Sequence, residues 1–171
     1  IPARVVPMLS HFSYSAQVKL SGRMLFGFLR NYIGTIRQAE ELAGAFRPDL
    51  VHLNTSVLLP IGKGMKSTGI PIVWHVREVA GMSHVLSKWI NGQIQEMASH
   101  IVVNSAYVAR DYIGGKPVTV VHNALEGSEF SPRSSTQKDT ARQELGLPLD
   151  ASVVGIIGGV QEVKGHFQFV D

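Results

Sequence analysis

Residues 70–78 read IPIVWHVRE, and this stretch decides the fold. The apolar residues at its centre are typical of a parallel strand buried on both faces. Polar groups follow where the strand should end, and His75, Arg77 and Glu78 stand together there. In open parallel sheets, ligands bind outside the carboxyl ends of the strands. The stretch is thus consistent with a ligand crevice, but on its own it favours the simpler alternative, in which His75 merely ends the strand and Arg77 pairs with Glu78 in solvent.

The composition is that of a globular domain. The chain has 171 residues, of which 44% are hydrophobic, and it contains no cysteine, which excludes disulfides and thiolate metal sites. Its formal net charge is +3, but the basic residues form no dense run, so we expect no nucleic-acid partner. No apolar run is long enough to cross a bilayer. We expect a cytoplasmic protein, with a peripheral contact at the inner membrane face as an open alternative.

Short strands alternate with helices along the chain. The predicted strands are 3–9, 50–53, one within 70–78, 100–103 and 118–121, and the predicted helices are 23–46, 57–67, 85–98, 106–113 and 140–145. This alternation predicts an α/β fold with a Rossmann-like parallel sheet flanked by helices.

The first predicted helix is long and amphipathic, because its apolar residues recur at steps of three and four. The face predicted to point inward consists of Leu25, Phe28, Leu29, Tyr32, Ile36, Ala39, Ala43 and Phe46. An amphipathic helix with arginines on its other face can lie on a membrane, but packing against a sheet is the commoner arrangement.

The composition shifts at Gly127 to a polar segment rich in Ser, Pro and charged residues. We therefore predict a partial amino-terminal domain at 1–126, a linker with a short helix at 127–150, and the start of a second domain at 151–171. A strand at 152–157 is predicted to begin that second domain. The chain begins at Ile1 and stops soon after a loop, so we expect a piece of a longer protein.

A glycine-rich turn follows the predicted strand at 152–157. Gly158 and Gly159 allow a tight bend that brings backbone amides close to an anion, and Lys164 supplies a positive charge for phosphate oxygens. The turn lacks the spacing of a Walker loop and of the dinucleotide fingerprint, so neither ATP hydrolysis nor NAD chemistry is supported.

Two other chemistries are weaker hypotheses. His52, His75 and His122 lie in or just after predicted strands and could meet as metal ligands, but no carboxylate pattern accompanies them. A Ser-His-Asp hydrolase lacks its Gly-x-Ser-x-Gly sequence, and Ser105 is better explained as a helix cap. We therefore predict no metal site and no cofactor.

Five ordered motifs resemble those of the family-four retaining glycosyltransferases, also called group-one transferases, which have the two-domain GT-B fold. The motifs are residues 47–52 (RPDLVH), 70–75 (IPIVWH), 101–105 (IVVNS), 121–126 (VHNALE), and 154–158 (VGIIG) with Lys164-Gly165. The resemblance implies that the chain up to about Glu126 is most of the acceptor-side domain, without its first strand, and that Ser152 onward begins the nucleotide-sugar domain.

The resemblance also implies roles for individual residues. His75 would be the catalytic residue in the cleft near the transferred sugar, and Asn54, Arg77 and Asn123 would bind substrate. Lys164 would hold the donor diphosphate together with the glycines at 158 and 159, and would stabilise the charge on the leaving group. The family usually has an arginine at the position of the second glycine, so half of its usual basic clamp is missing here.

We therefore predict a metal-independent retaining transferase that moves a sugar from a nucleoside-diphosphate sugar to a glycan or lipid-linked acceptor, in surface polysaccharide or glycolipid synthesis. The rival hypotheses are a nucleotide-sugar epimerase of similar architecture and a non-catalytic module that binds a glycan or a partner. The family's first strand and its paired donor-binding glutamates are absent from the sequence. The chain alone is therefore predicted to be inactive, and to self-associate through unpaired strand edges.

Overall fold

The computed structural model describes residues 22–78, 84–127, 134–160 and 164–170. The chain divides into two compact units, Ile1–His122 and Asn123–Asp171. The strand predicted at 3–9 lies outside the described residues. The domain boundaries and the self-association inferred from the sequence stay predictions.

The first unit holds a parallel sheet. Its strands are β1 (Val51–Asn54), β2 (Ile72–Val76), β3 (His100–Val103) and β4 (Val118–Val120), which lie side by side in chain order. All three neighbouring pairs are parallel. The helices of this unit are α1 (Gly22–Phe46), α2 (Leu59–Ser67), α3 (His84–Met97) and α4 (Ala106–Ala109), which continues as a 3-10 turn at Arg110–Tyr112. This architecture confirms the predicted α/β, Rossmann-like fold class.

One face of the sheet forms the core. Side chains alternate between the two faces of a strand, and right-handed crossovers made in one direction place their helices on a single face. The strand residues buried on this face are Val51, Leu53, Ile72, Trp74, Val76, Ile101 and Val103. The opposite face is more open: His52 and Asn54 of β1 are exposed, and His75 of β2 is half-buried. The alternation thus separates the core from a face that carries polar side chains.

Helix α1 packs on α2 through small residues. A Cβ atom added to Gly64 would lie 2.5 Å from the carbonyl oxygen of Ile36 and 2.8 Å from the Cβ of Ala39. Thr35, Ala39 and Ala43 are buried along this seam. Such a close helix approach leaves no room for large side chains at the contact.

The inward face predicted for α1 is therefore partly wrong. Leu25, Leu29 and Phe46 are exposed, although their spacing predicted burial. The apolar periodicity located the helix correctly, but the close contact with α2 lies at Ile36 and Ala39. The three exposed residues lie nearer the ends of α1, away from that contact. No helix in the described part of the chain is both long and apolar enough to cross a bilayer.

The second unit differs more from the sequence predictions. Its helices are α5 (Ser135–Glu144) and α6 (His166–Val170). Helix α5 begins inside the predicted linker because Ser134 and Gln137 form a capping box. Residues 152–157, predicted as a strand, are exposed and irregular. An isolated apolar run is not a strand until another strand pairs with it, and no described segment pairs with this one.

Candidate functional site

The candidate site lies at the carboxyl ends of β1 and β2. The parallel register pairs Asn54 with His75 across the two strands, and Arg77 follows just beyond the end of β2. Three of the predicted site residues are therefore brought to the same edge of the sheet. Ligands of open parallel sheets bind at this edge, because the loops diverge there.

His75 is the central group of this edge. Its ring stacks on the ring of His52, with 5.8 Å between the centroids and 26° between the planes. Its Nε2 atom is shielded from solvent and has no hydrogen-bond partner among the described residues. Burial lowers the pKa of His75 below 6.5, and the nearby His52 ring and Arg77 guanidinium lower it further. The imidazole is consequently neutral at pH 7, and its Nε2 atom is left without a partner among the described residues.

Glu78 has a role that the sequence did not reveal. Its Oε2 atom accepts hydrogen bonds from the Ser56 amide at 3.3 Å, the Ser56 hydroxyl at 3.1 Å and the Arg77 amide at 3.2 Å. Burial raises the pKa of Glu78, but hydrogen bonds from Thr55, Ser56 and the Arg77 backbone outweigh it, and the net pKa is lowered. Glu78 therefore links the loop after β1 to the end of β2. The alternative drawn from the sequence was an ion pair between Glu78 and Arg77 in solvent.

A buried side chain of the core, Trp74, also holds the loop after β1. The indole Nε1 of Trp74, which is fully buried, donates a hydrogen bond to the backbone oxygen of Thr55 at 2.8 Å. Trp74 and Glu78 thus both hold the loop after β1 in place. The sequence shows only that two hydroxyl residues follow β1 and that an indole and a carboxylate lie in and just after β2. The strand register is needed to see that these groups meet.

The end of β3 joins this edge through Asn104. Its Nδ2 donates to the backbone oxygen of Arg77 at 3.1 Å, and its backbone oxygen lies 3.2 Å from Nδ1 of His122. Ser105 caps α4 as predicted, because its hydroxyl accepts from the Val108 amide at 3.3 Å. No group of three His, Asp or Glu residues in the described ranges is placed to hold a metal ion.

The other predicted site residues lie in the second unit. Asn123 and Lys164 are exposed. Gly158 and Gly159 are exposed too; neither has a positive φ, and a Cβ atom at either position would meet open space. The fold of this unit therefore does not itself require glycine at these two positions. The roles of all four residues stay predictions.

Comparison with known proteins identifies the family that this chain resembles. The family model described as Glycosyltransferase Family 4 matches residues 6–126. A protein of Corynebacterium jeikeium named D-inositol 3-phosphate glycosyltransferase is 32% identical over 78 residues, which are 43% of this chain and 19% of that protein. The protein of the same name from Corynebacterium urealyticum is 33% identical over 78 residues, 43% of this chain and 18% of its own length. The matched region thus spans about a fifth of these relatives. No solved structure matches the chain significantly.

Proposed function

Because the chain belongs to glycosyltransferase family 4, we propose that its protein transfers a sugar from a nucleoside-diphosphate sugar to an acceptor hydroxyl. Membership confirms the resemblance drawn from the sequence motifs. The observation that supports the proposal best is His75, a neutral imidazole whose Nε2 lacks a partner among the described residues, at the ligand-binding edge of a parallel sheet.

The residues of the first unit suit a neutral, hydroxyl-rich ligand. A neutral imidazole can donate or accept one hydrogen bond to a sugar hydroxyl, and the lowered pKa of His75 keeps it in this form at pH 7. The Asn54 amide offers both donors and an acceptor beside it. The exposed Arg77 guanidinium can bind an anionic group of the acceptor or the donor. We assign these three residues to sugar and acceptor binding.

The second unit would hold the donor diphosphate. Two glycines that the fold itself does not require leave the backbone open to an anion, and Lys164 would neutralise the charge that develops on the leaving diphosphate. Asn123 would bind substrate. We propose that the reaction retains the configuration at the sugar and needs no metal or cofactor.

The acceptor is proposed as a glycan or a lipid-linked molecule in surface polysaccharide or glycolipid synthesis. The similar proteins named D-inositol 3-phosphate glycosyltransferase suggest a phosphorylated polyol as a further acceptor class. The net positive charge of the chain suits both phosphorylated donors and phosphorylated acceptors.

A ligand titration of the complete gene product tests the proposal. Thermal unfolding is followed with UDP, GDP, ADP and dTDP sugars in turn, because a ligand at about a hundred times its dissociation constant adds about 2.7 kcal/mol of stability. One nucleotide should stabilise the protein, and Lys164→Ala should weaken that effect. Lys138→Ala, which removes an exposed lysine of α5 in the same unit, is the matched control and should leave it unchanged.

Product analysis separates the rivals. Release of the nucleoside diphosphate only when an acceptor is present supports transfer, and loss of this release in His75→Gln supports the assigned cleft. Interconversion of the donor sugar without acceptor would instead indicate an epimerase, and binding without turnover a non-catalytic module. The same assay on the 171-residue chain tests the prediction that it is inactive alone.

A further inference from the structure

A polar cavity lies between α3 and the 3-10 turn at Arg110–Tyr112. Its volume is about 370 Å³, and small-molecule sites usually measure about 300–1,000 Å³. Helix α3 covers the core side of the sheet with Ile90 and Ile94, whereas His75 lies on the opposite side. None of the residues that line the cavity belongs to the strand ends of the candidate site. The lining includes residues of both elements, namely Lys88, Asn91, Gly92, Gln95, Arg110 and Asp111.

The core holds one amide of this lining in a fixed position. Asn91 is 9% exposed, and its Oδ1 accepts a hydrogen bond from the buried Tyr112 hydroxyl at 2.9 Å. This bond uses the acceptor of the amide, and no described residue accepts a hydrogen bond from its Nδ2. The two N–H donors of Asn91 therefore remain for a ligand oxygen in the cavity.

Gly92, one turn further into α3, contributes to the volume of the cavity. Glycine is unfavourable in a helix interior, and a Cβ atom added to Gly92 would meet open space. Gly62 and Gly64 of α2 differ, since a Cβ atom at either would overlap a neighbouring residue. Close packing therefore does not require glycine at position 92, and a larger side chain there would enter the cavity.

Cations from two elements line the same cavity. Lys88 lies on α3 and Arg110 on the turn, and the Arg110 guanidinium lies over the Tyr107 ring, 5.7 Å from its centroid. Gln95 connects the two elements, because its Nε2 donates to the Asp111 backbone oxygen at 3.5 Å. The lining thus carries two positive charges against the single negative charge of Asp111. This balance favours an anionic ligand.

We propose that this cavity binds a small molecule with one phosphate and several hydroxyl groups, which is the chemistry of a sugar phosphate. Lys88 and Arg110 would bind the phosphate oxygens, and the amide of Asn91 would donate to a hydroxyl oxygen. The Asp111 carboxylate would accept a hydrogen bond from a second hydroxyl. This ligand would be distinct from the donor and the acceptor, because no strand end contributes to its site. The inference goes beyond the proposed sugar transfer and does not depend on it.

Isothermal titration of the complete gene product tests the proposal. The probes are glucose 6-phosphate, inorganic phosphate and glucose. We expect glucose 6-phosphate to bind, inorganic phosphate to bind more weakly, and glucose not to bind. Lys88→Met and Arg110→Gln should each weaken the binding of glucose 6-phosphate about 10- to 100-fold, because each removes a hydrogen bond to a charged group.

A change of volume separates this cavity from a general effect of charge. Gly92→Leu should abolish binding of glucose 6-phosphate and should raise the melting temperature, because leucine is favoured over glycine in a helix. Gly34→Leu is the matched control, since Gly34 lies inside α1 and a Cβ atom there also meets open space. It should raise the melting temperature too, but should leave the affinity for glucose 6-phosphate unchanged.

Four outcomes would overturn the proposal. They are no binding of glucose 6-phosphate, equal affinity for glucose, equal affinity for inorganic phosphate, and unchanged affinity in Gly92→Leu. Binding that is lost in Lys164→Ala but kept in Lys88→Met and Gly92→Leu would place the sugar phosphate at the proposed donor site and would also refute the inference. None of these outcomes bears on sugar transfer itself, which the product assay measures separately.

Discussion

Replacing Glu78 by glutamine should loosen the loop after β1, next to Asn54, and should destabilise the first unit at neutral pH. The substitution keeps the size of the side chain and one carbonyl oxygen, but it removes the negative charge. Three donors face one oxygen of the carboxylate, the Ser56 amide, the Ser56 hydroxyl and the Arg77 amide, at 3.1–3.3 Å, and the Thr55 side chain donates a further hydrogen bond to Glu78. The perturbation therefore isolates the charge from the shape of the side chain.

The size of the effect follows from these contacts. A hydrogen bond to a charged group contributes about 1.5–3 kcal/mol and a neutral one about 0.5–1.5 kcal/mol, so each bond loses about 1 kcal/mol. The distances are long and the three bonds share one oxygen, which places the total at about 1–2 kcal/mol. For a chain of this length, that loss lowers the melting temperature by about 2–8 °C.

The pH dependence has a definite sign. The pKa of Glu78 in the folded protein is lowered below the usual 4.5, so the unfolded state binds more protons between the two values. The stability that the carboxylate contributes is present above pH 4.5 and is lost as the pH falls through the folded pKa. The difference between the unchanged chain and Glu78→Gln should therefore be largest near neutral pH and should shrink in acid.

Tryptophan fluorescence measures the unfolding of the region around the loop after β1. Trp74 is fully buried and is bonded to the same loop, whereas Trp89 is largely exposed. Glu96→Gln on α3 is the matched control, because Glu96 is exposed and contacts only Gln93, at 3.5 Å, among the hydrogen bonds of the described chain. A Glu78→Gln protein as stable as the control at pH 7, or a deficit that persists undiminished in acid, would refute the reasoning.

Three other outcomes are expected. In His52→Gln the pKa of His75, followed by NMR titration of its ring, should rise toward 6.5. Because the folded pKa of His75 is lowered, the unchanged chain loses stability as the pH drops below 6.5, and the variant should lose less. An unmoved titration would show that the stacked ring has no electrostatic effect. Gly64→Ala should destabilise the protein by about 1–3 kcal/mol through overpacking. Gly34→Ala, whose added methyl group meets open space on α1, should stabilise it by about 0.5–1 kcal/mol. If urea denaturation showed that both variants change the free energy of unfolding in the same direction, the α1–α2 seam would be contradicted. Ser134→Ala removes the capping box of α5 and should reduce helix stability by about 1 kcal/mol, and an unchanged thermal helix signal by circular dichroism would count against the cap.

The sequence predicted the parallel sheet because its strands are local patterns. The run at 70–78 and its counterparts at 50–53 and 100–103 are apolar segments bounded by turn residues, and each appears within a residue or two of the predicted position. What periodicity could not decide was how far along α1 the packing extends. Leu29 and Ala39 both belong to its apolar repeat, but only Ala39 lies at the contact with Gly64 of α2, and Leu29 is exposed.

The residue types of the site could be predicted from the sequence, but its hydrogen-bond network could not. A histidine at the end of a buried strand is visible in the sequence, so His75 and its neighbour Arg77 were found. The bond from Glu78 to Ser56 spans 22 residues and exists only because the register of β1 and β2 brings the two loops together. No local pattern encodes a contact of that kind.

Strand β2 couples the core to the site through its alternation. Trp74 points into the core and reaches across to Thr55, while His75, the next residue, faces the opposite side of the sheet. The position of Asn54 relative to His75 is thus set both by the packing around a buried indole and by the carboxylate of Glu78 at the surface. A change in the core at Trp74 should therefore alter the spacing of polar groups that it never touches, because its indole holds the backbone of the loop that follows Asn54.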